Sequence, residues 1–311
     1  MSELRKDYIL DEWVIIATER AKRPDQFKSK NKKEKTEVDY FASGNEKYTP
    51  GEILRVNDKN NKWKIRVFPN KYPAVNINGN PEIQTHNKFY TFADAYGYHE
   101  VIVETPLKNK QLWDLSKEDL VLLFEVYCNR IDQLSKKPGI KYVQIFKNHG
   151  IEAGTSIQHS HSQVIAFDNV PERVQEEINK SKPYGCAYCE IIQREKDSYR
   201  RCFETDNFIA FTPYASRFPF EIWLFSKEHI KYLHDCDFSD LAKIFIMILK
   251  KLKELNASFN FMIYYSPSDH DNLHFHIEFL PRMTTWAGFE YSGTVINPVI
   301  PEDAAKFYRN Q

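Results

Sequence analysis

The feature that most constrains the fold of this 311-residue chain is an internal repeat, in which residues 99–134 resemble residues 220–255 after a shift of 121 positions. The shift aligns Glu100 with Glu221 and keeps the apolar residues around them in phase. Any two strand–helix–strand stretches can look alike by coincidence. The shared glutamate, the matching helix phase and a His-x-His pair at corresponding ends favour a duplication instead.

Each copy of the repeat predicts a strand, a long helix and a second strand. Apolar residues recur at helical spacing behind Ser116 and Ser239, which are the expected N-caps. The predicted strands cover residues 101–104, 141–147, 221–225 and 260–265, and the histidine pairs that follow are His159/His161 and His274/His276. The sequence therefore predicts an α+β fold of two duplicated halves, each a mainly antiparallel sheet with one long helix.

The boundary between the halves is expected in a polar stretch, residues 168–184. It separates an N-terminal half, residues 1–170, which carries the first histidine pair, from a C-terminal half, residues 171–311. A second polar stretch, residues 28–51, is rich in lysine and is expected to be a loop.

Charge and composition exclude several classes of protein. Lys+Arg and Asp+Glu both total 43, so the formal net charge is zero, and non-specific nucleic-acid binding is disfavoured because it rests on neutralising phosphates. The charged N-terminus lacks the apolar core of a signal peptide, and no long apolar run predicts a membrane span. Five cysteines are too few and odd in number for a secreted disulfide framework. We expect a cytoplasmic protein with neither a nucleic-acid nor a membrane partner.

The segment GTSIQHSHSQ carries the strongest chemical signal. Alternate residues of an extended strand share one face, so His159, His161 and Gln163 would project together. A neutral imidazole can attack an α-phosphorus, and Ser156 and Gln163 are uncharged donors suited to the phosphoryl oxygens. The alternative is a set of ordinary polar residues on a half-exposed strand. The glycine-punctuated segment that contains Asn148, just before them, favours a ligand site.

A second cluster predicts a metal site in the C-terminal half. Cys186 and Cys189 have a spacing that is typical of zinc sites and of redox motifs. His229 and His274 would complete a closed Cys₂His₂ set, which has no open position and is structural. The redox alternative is weaker because no thioredoxin-like pattern surrounds the pair. The repeat shift places Lys108 opposite His229, so the sequence predicts one zinc ion per chain.

Seven sequence blocks occur in the order found in one known family: LRKDYILDEWVIIATERAKRP, RVFPNKYPAV, HEVIVETP, FKNHGIEAGTSIQHSHSQ, CAYC, FPFEIW and GFEYSGTVINPVIPEDAA. The chain thereby resembles, over nearly its whole length, the galactose-1-phosphate uridylyltransferases and their relatives in the histidine-triad superfamily. The resemblance implies histidine-triad-like halves, a homodimer, and transfer of a nucleoside monophosphate between a nucleotide sugar and a sugar 1-phosphate.

The resemblance also implies roles for individual residues. His161 corresponds to the histidine that becomes uridylylated, Gln163 to the glutamine that binds the transferred phosphoryl group, and Ser156 to a serine that contacts the phosphates. The substrate-lining positions that it implies are Arg23, Asn70, Asn148 and His159, with Phe289 and Glu290 in a sugar-binding segment that reaches across the dimer interface. The zinc ligands that it implies are Cys186, Cys189, His229 and His274.

The chain also departs from the family pattern. The positions of the family's first-half zinc site read Asp39, Ala42, Lys108 and His159. Without its partner ligands, His159 is expected to orient nearby backbone or fill space. Ile296 and Thr284 replace a glutamine and a lysine that bind the hexose phosphate in some members, so these changes bear on the acceptor more than on the reaction type.

Three functions remain open at this point. The first is uridylyl transfer between UDP-glucose and galactose 1-phosphate, through a nucleotidyl-histidine intermediate. The second keeps that chemistry but is an adenylyl-transferring phosphorylase that acts on ADP-glucose or a dinucleoside polyphosphate with inorganic phosphate. The third is a zinc-stabilised binding module without catalysis. The sequence favours the first.

Overall fold

A computed structural model describes residues 3–16, 18, 38–268 and 270–311. The sequence prediction for Arg23 and for residues 28–37 lies outside this part of the chain. None of the helices in the described ranges is long and apolar enough to cross a membrane.

The centre of the molecule is one ten-stranded sheet in which every neighbouring pair is antiparallel. The first five strands in spatial order are β3 (Leu54–Asn57), β4 (Trp63–Pro69), β7 (Gly97–Val103), β9 (His161–Phe167) and β8 (Tyr142–His149). The next five are β13 (Phe259–Tyr264), β14 (His276–Pro281), β12 (Ile222–Ser226), β11 (Phe208–Phe211) and β10 (Arg201–Glu204). The α+β class with antiparallel strands is confirmed.

The strand order is the one that an internal repeat would produce. Outward from the central β8–β13 pair, the order is β8, β9, β7, β4, β3 on one side and β13, β14, β12, β11, β10 on the other, so each strand has a counterpart at the same place in the chain order of its side. The division into two duplicated halves at residues 170 and 171 stays a prediction, because the sheet runs without a break across that boundary.

Smaller elements surround this sheet. A three-stranded sheet consists of β1 (Glu3–Lys6), β2 (Trp13–Ile16) and β15 (Val295–Asn297), and an exposed hairpin consists of β5 (Gln84–Asn87) and β6 (Tyr90–Phe92). The helices are α1 (Lys117–Ser135), α2 (Glu172–Ser181), α3 (Ala187–Glu195), α4 (Phe238–Glu254) and α5 (Pro301–Tyr308).

The two long helices of the repeat, α1 and α4, pack against each other and cover one face of the sheet. Phe124 of α1 meets Phe245 of α4 with ring centroids 5.3 Å apart, and both rings are buried. The hydroxyl of Tyr127 on α1 lies 2.6 Å from that of Ser162 on β9. Because strand residues alternate between faces, His161 and Gln163 must point to the opposite face of the sheet.

Two sequence predictions need correction. Ser116 caps α1 as expected and forms a capping box with Asp119, but α4 is capped by Asp237, and Ser239 lies inside the helix. The polar connection at 168–184, between β9 and α3, is not simply a linker, because it contains α2, whose apolar side is too narrow to stand out in a polar sequence.

The histidine pairs lie at strand entrances, not along strands. β9 begins at His161 and β14 begins at His276, so His159 and His274 each lie two residues before the first strand residue. The first histidine of each pair can therefore face a different direction from the second. In this structure, the two histidines of each pair have different partners.

The two serines provide a matched test of the helix starts. Ser116→Ala removes a side chain that accepts the backbone N–H of Asp119, so we expect the free energy of unfolding to fall by about 1 kcal/mol. Ser239→Ala changes an exposed residue inside α4, and we expect a change below about 0.5 kcal/mol. Urea denaturation followed by circular dichroism measures both. Equal losses in the two variants would contradict the assigned caps.

Candidate active site

A cavity of about 800 Å³ opens on the face of the sheet that α1 and α4 leave uncovered. His161 and Gln163 line it, and its walls include the aromatic rings of Tyr40, Tyr48 and Tyr72. A smaller cavity of about 350 Å³ adjoins it, and His161 lines both. A pocket of this size, lined by several aromatic rings and many polar side chains, suits an organic ligand with an anionic part.

The ring of His161 is held in one orientation by its own strand entrance. Its Nδ1 lies 2.8 Å from the backbone carbonyl oxygen of His159, which can only accept a hydrogen bond. Nδ1 therefore carries the hydrogen, and Nε2 keeps its lone pair. Phe41 packs its ring edge-on against the imidazole, with centroids 5.3 Å apart. The side chain is buried except where it borders the cavities, so Nε2 is the atom available to a ligand.

Burial also keeps this imidazole neutral. Loss of solvation, followed by the positive charge of Lys147, lowers the pKa of His161 to about 4 from an ordinary value of 6.5. A protonated ring would have no lone pair to offer, so the low pKa keeps the ring in its nucleophilic form at neutral pH.

Gln163 is oriented by a residue that the sequence prediction missed. The backbone N–H of Ala74 donates to Nδ1 of His99 at 3.1 Å, which leaves the ring hydrogen on Nε2. That Nε2 lies 2.8 Å from Oε1 of Gln163, and Nδ2 of Asn70 lies 3.4 Å from the same oxygen. The oxygen of the amide is thereby occupied, so the NH₂ group of Gln163 is the end that can donate into the cavity.

His99 could have been found from strand pairing. β7 and β9 pair with Val101 opposite Gln163 and Val103 opposite His161. His99 shares their side of β7, since it precedes Val101 by two residues, and so it is a diagonal neighbour of Gln163. Spacing within a single strand cannot reveal such a contact.

The other predicted site residues are divided between the two cavities and the surface. Ser156, Asn70 and His159 line the larger cavity, and Asn148 lines the smaller one. The amide oxygen of Asn148 accepts a 2.8 Å hydrogen bond from Asn260 on the neighbouring strand. Asn148 thus belongs to the seam where β8 meets β13.

Phe289 and Glu290 line neither cavity of their own chain. The ring of Phe289 is half exposed, and the carboxylate of Glu290 accepts the backbone N–H of Ala287 at 2.9 Å. The structure therefore does not bring these two residues to His161 within one chain.

A buried ion pair supports the strand entrance from the helix side of the sheet. Nζ of Lys147 lies 2.7 Å from Oε2 of Glu104 and 2.9 Å from the backbone carbonyl oxygen of His161. The hydroxyls of Ser160 and Ser162 both donate to the Glu104 carboxylate. Burial alone would raise the pKa of Glu104, but Lys147 and the two hydroxyls lower it instead. The carboxylate is therefore ionised and its oxygens are satisfied.

The four predicted metal ligands meet in the C-terminal half. Their ligand atoms all lie within 4.8 Å of one another. Sγ of Cys189 is 3.4 Å from Nδ1 of His229 and 3.5 Å from Nδ1 of His274, and Sγ of Cys186 is 3.7 Å from the latter. Zinc bonds to sulfur and nitrogen imply a tetrahedron edge of about 3.6 Å. Nε2 of His274 lies 2.9 Å from the carbonyl oxygen of Ser226, which leaves Nδ1 free for a metal.

The counterpart of His161 in the second half is closed off. Nδ1 of His276 lies 2.9 Å from the carbonyl oxygen of His274, which repeats the geometry of His161. The ring of Tyr188 lies above it at 5.1 Å, and a carboxylate oxygen of Glu177 on α2 is 3.8 Å from its Nε2. Glu278 replaces the glutamine and forms a 2.7 Å ion pair with Arg217. Helices α2 and α3 thus fill the space that is the larger cavity in the first half.

The low pKa of His161 gives a direct prediction. We expect its ring to titrate with a midpoint at about pH 4 in ¹⁵N-histidine NMR spectra, with the signal assigned by its loss in His161→Asn. In the unfolded chain the same ring titrates at about 6.5. Its contribution to stability is therefore complete above pH 6.5 and is lost as the pH falls through about 4. A midpoint near 6.5 in the folded protein would contradict the burial argument.

Comparison with known proteins places these observations in a family. A family model described as "Galactose-1-phosphate uridyl transferase, N-terminal domain" matches residues 1–171, and one described as "Domain of unknown function (DUF4921)" matches residues 97–307. ADP-glucose phosphorylase of Arabidopsis thaliana is 36% identical over 99% of this chain and 92% of its own length. Galactose-1-phosphate uridylyltransferase of Thermotoga maritima is 29% identical over 99% and 98%. The crystal structure of an ADP-glucose phosphorylase from Arabidopsis thaliana with bound ADP-glucose covers 100% of this chain and 99% of its own, with 32% identity and a TM-score of 0.84. The chain therefore belongs to the galactose-1-phosphate uridyl transferase family.

Proposed function

We propose that this protein is a nucleotidyltransferase that uses His161 as its nucleophile and that its reaction is the phosphorolysis of ADP-glucose. The observation that carries the proposal is the imidazole itself, which is neutral and presents Nε2 to a cavity of about 800 Å³. The choice of ADP-glucose is supported by the 36% identity to the Arabidopsis ADP-glucose phosphorylase over almost the whole chain.

In the first step, Nε2 of His161 attacks the α-phosphorus of ADP-glucose. A nitrogen–phosphorus bond forms, the bond from the α-phosphorus to the bridging oxygen breaks, and glucose 1-phosphate leaves with that oxygen. The ring becomes positively charged as its lone pair is used. The carbonyl oxygen of His159, 2.8 Å from Nδ1, stabilises that charge because it accepts the hydrogen bond from the Nδ1–H.

In the second step, an oxygen of inorganic phosphate attacks the same phosphorus. A phosphorus–oxygen bond forms, the nitrogen–phosphorus bond breaks, and ADP leaves while the neutral imidazole is restored. The NH₂ group of Gln163 donates to an oxygen of the transferred phosphoryl group in both steps, and Ser156 at the cavity edge supplies a further donor.

Uridylyl transfer between UDP-glucose and galactose 1-phosphate is the second candidate. It is supported by the family match over residues 1–171 and by the 29% identity to the Thermotoga maritima uridylyltransferase. Phosphate as acceptor is favoured here because Ile296 and Thr284 stand where some members carry the glutamine and lysine that bind a hexose phosphate. Ile296 lies on β15 and pairs with Ile15 of β2, so it contributes no polar group to an acceptor site.

We also propose one structural zinc ion per chain at Cys186, Cys189, His229 and His274. The donor set is two thiols and two imidazoles with separations close to a tetrahedron edge. When bound, the ion would link the start of α3 to the loops before α4 and β14, and its four protein ligands would leave no open position for a substrate.

A homodimer remains part of the proposal. Phe289 and Glu290 lie in a segment that the family resemblance assigns to sugar binding, yet they line neither cavity of their own chain. We propose that they serve the site of a second copy.

The covalent step can be tested by intact-protein mass spectrometry. After mixing with ADP-glucose without phosphate, we expect an added AMP residue on the protein and none on His161→Asn, because asparagine has no ring nitrogen to attack. His86→Asn, which changes an exposed histidine on the outer hairpin, should keep the adduct. Adding phosphate should release ADP. A faster UMP adduct from UDP-glucose would favour the second candidate, and no adduct from either sugar would support a binding module without catalysis.

The metal assignment can be tested on the same preparation. We expect inductively coupled plasma mass spectrometry to find one zinc per chain, and Cys186→Ser to lose it and lower the melting temperature, because a structural ion contributes to folding free energy. Cys128→Ser is a matched control, since that cysteine lies outside the ligand group. Full zinc content in Cys186→Ser would contradict the ligand set.

A further inference from the structure

The residues at the first-half counterpart of the zinc site do not fit a metal. Asp39 and His159 are there, but Ala42 has no donor atom and Lys108 is a cation. Within the described ranges, neither Asp39 nor His159 belongs to any group of three or more close ligand atoms. Oδ2 of Asp39 lies 2.9 Å from Nδ1 of His159, a hydrogen-bond distance, whereas two such ligands of one zinc ion would be about 3.4 Å apart.

The two residues are instead joined by a chain of hydrogen bonds. The Asp39 carboxylate uses one oxygen for His159 and the other for the backbone N–H of Phe41, at 3.1 Å. On the far side of the ring, Nε2 of His159 donates to the carbonyl oxygen of Thr105 at 2.7 Å. We refer to Asp39, the ring of His159 and this carbonyl as the clamp. The His159 ring has no exposed surface, and the Asp39 side chain is 10% exposed.

The clamp contacts His161 by two routes. The backbone carbonyl of His159 accepts the Nδ1–H of His161, so fixing the His159 ring also fixes the atom that sets the tautomer of His161. Phe41, whose N–H is bound by Asp39, packs its ring against the His161 imidazole at 5.3 Å. The Asp39 carboxylate therefore helps to fix both the His159 carbonyl that accepts the hydrogen bond from His161 and the Phe41 ring that packs against His161.

We propose that Asp39 and His159 are positioning residues that replace a metal ion on the nucleophile side of the site. In this protein, hydrogen bonds between protein groups alone hold the His161 ring in place, and the site around His161 works without a metal. The inference rests on the proposed nucleotidylation of His161, but it concerns how the ring is oriented and is tested separately.

The test compares Asp39→Ala with the wild-type protein in a rapid-quench, single-turnover reaction with ADP-glucose. We expect the rate of adduct formation to fall by about tenfold to a hundredfold, because a misoriented nucleophile loses near-attack geometry. The dissociation constant for ADP, measured by calorimetry, should change by less than about threefold, since the nucleophile's orientation contributes little to ground-state binding. Ser43→Ala, an exposed position in the same loop, should retain the wild-type rate.

A conservative variant separates orientation from folding. The amide oxygen of asparagine at position 39 can still accept the N–H of Phe41, and its NH₂ group can donate to Nδ1 of His159, so Asp39→Asn should keep most of the rate. Spectra of ¹⁵N-labelled histidine should give a single Nδ1–H tautomer for His161 in the wild type and in Asp39→Asn, and a mixture in Asp39→Ala. A purely structural role would lower the melting temperature of Asp39→Ala and leave both the rate and the tautomer unchanged.

Three outcomes have distinct meanings. Loss of zinc from Asp39→Ala relative to the wild type would make Asp39 a metal ligand and overturn the proposal. A wild-type rate and tautomer in Asp39→Ala would overturn it as well. Failure of the wild-type protein to form any adduct would instead refute the proposed function, while the tautomer measurement would still decide whether the clamp orients His161.

Discussion

The site depends on one hydrogen bond, from Nδ1–H of His161 to the backbone carbonyl oxygen of His159, at 2.8 Å. It determines which ring nitrogen carries the hydrogen and therefore which one can attack. The contact depends on the two-residue spacing of the histidine pair, because the carbonyl of the first histidine accepts the hydrogen bond from the ring of the second. The remaining features of the site hold the carbonyl, keep the ring neutral or place donors around the ligand.

The same hydrogen bond occurs at His276, but there the oriented ring is covered by other side chains and does not border either of the two cavities. His276 repeats the geometry at 2.9 Å, but Tyr188 and Glu177 lie over its ring and Glu278 is paired with Arg217. The sheet thus provides two oriented imidazoles, His161 and His276. Which of them can meet a ligand is decided by what covers the sheet, and in the second half α2 and α3 occupy the position of the open cavity.

Much of this arrangement could be predicted from the sequence, because the repeat shows both the alternation of side chains that is typical of a strand and the spacing of apolar residues that is typical of a helix. The strands around Val101 and Leu224 and both long helices follow from the spacing of apolar residues. The gathering of Cys186 with His274 was predicted from the cysteine spacing together with the position of the histidine in the second copy of the repeat. What was missed depended on contacts between elements. α2 buries little more than Val174 and Ile178 on its apolar side, so its polar sequence resembles a linker.

The cap of α4 and the role of His99 were missed for related reasons. Asp237, Ser239 and Asp240 can all act as caps in a window of four residues, and the packing of the helix decides among them. His99 acquires its partner only through the register of β7 with β9. Arg23 lies outside the described residues, so the structure provides no test of that prediction.

The polar and charged groups that hold the strand entrance at His161 lie on both faces of the sheet. Ser160, between the two histidines, provides a hydroxyl for Glu104, whose charge is balanced by Lys147, and Lys147 in turn binds the carbonyl of His161. On the cavity side, Asp39 binds the ring of His159. The strand entrance is therefore held from both faces of the sheet by charged groups of the protein itself. On the helix side, removing one member of the buried Lys147–Glu104 pair would leave the other charge without its partner, which is strongly destabilising.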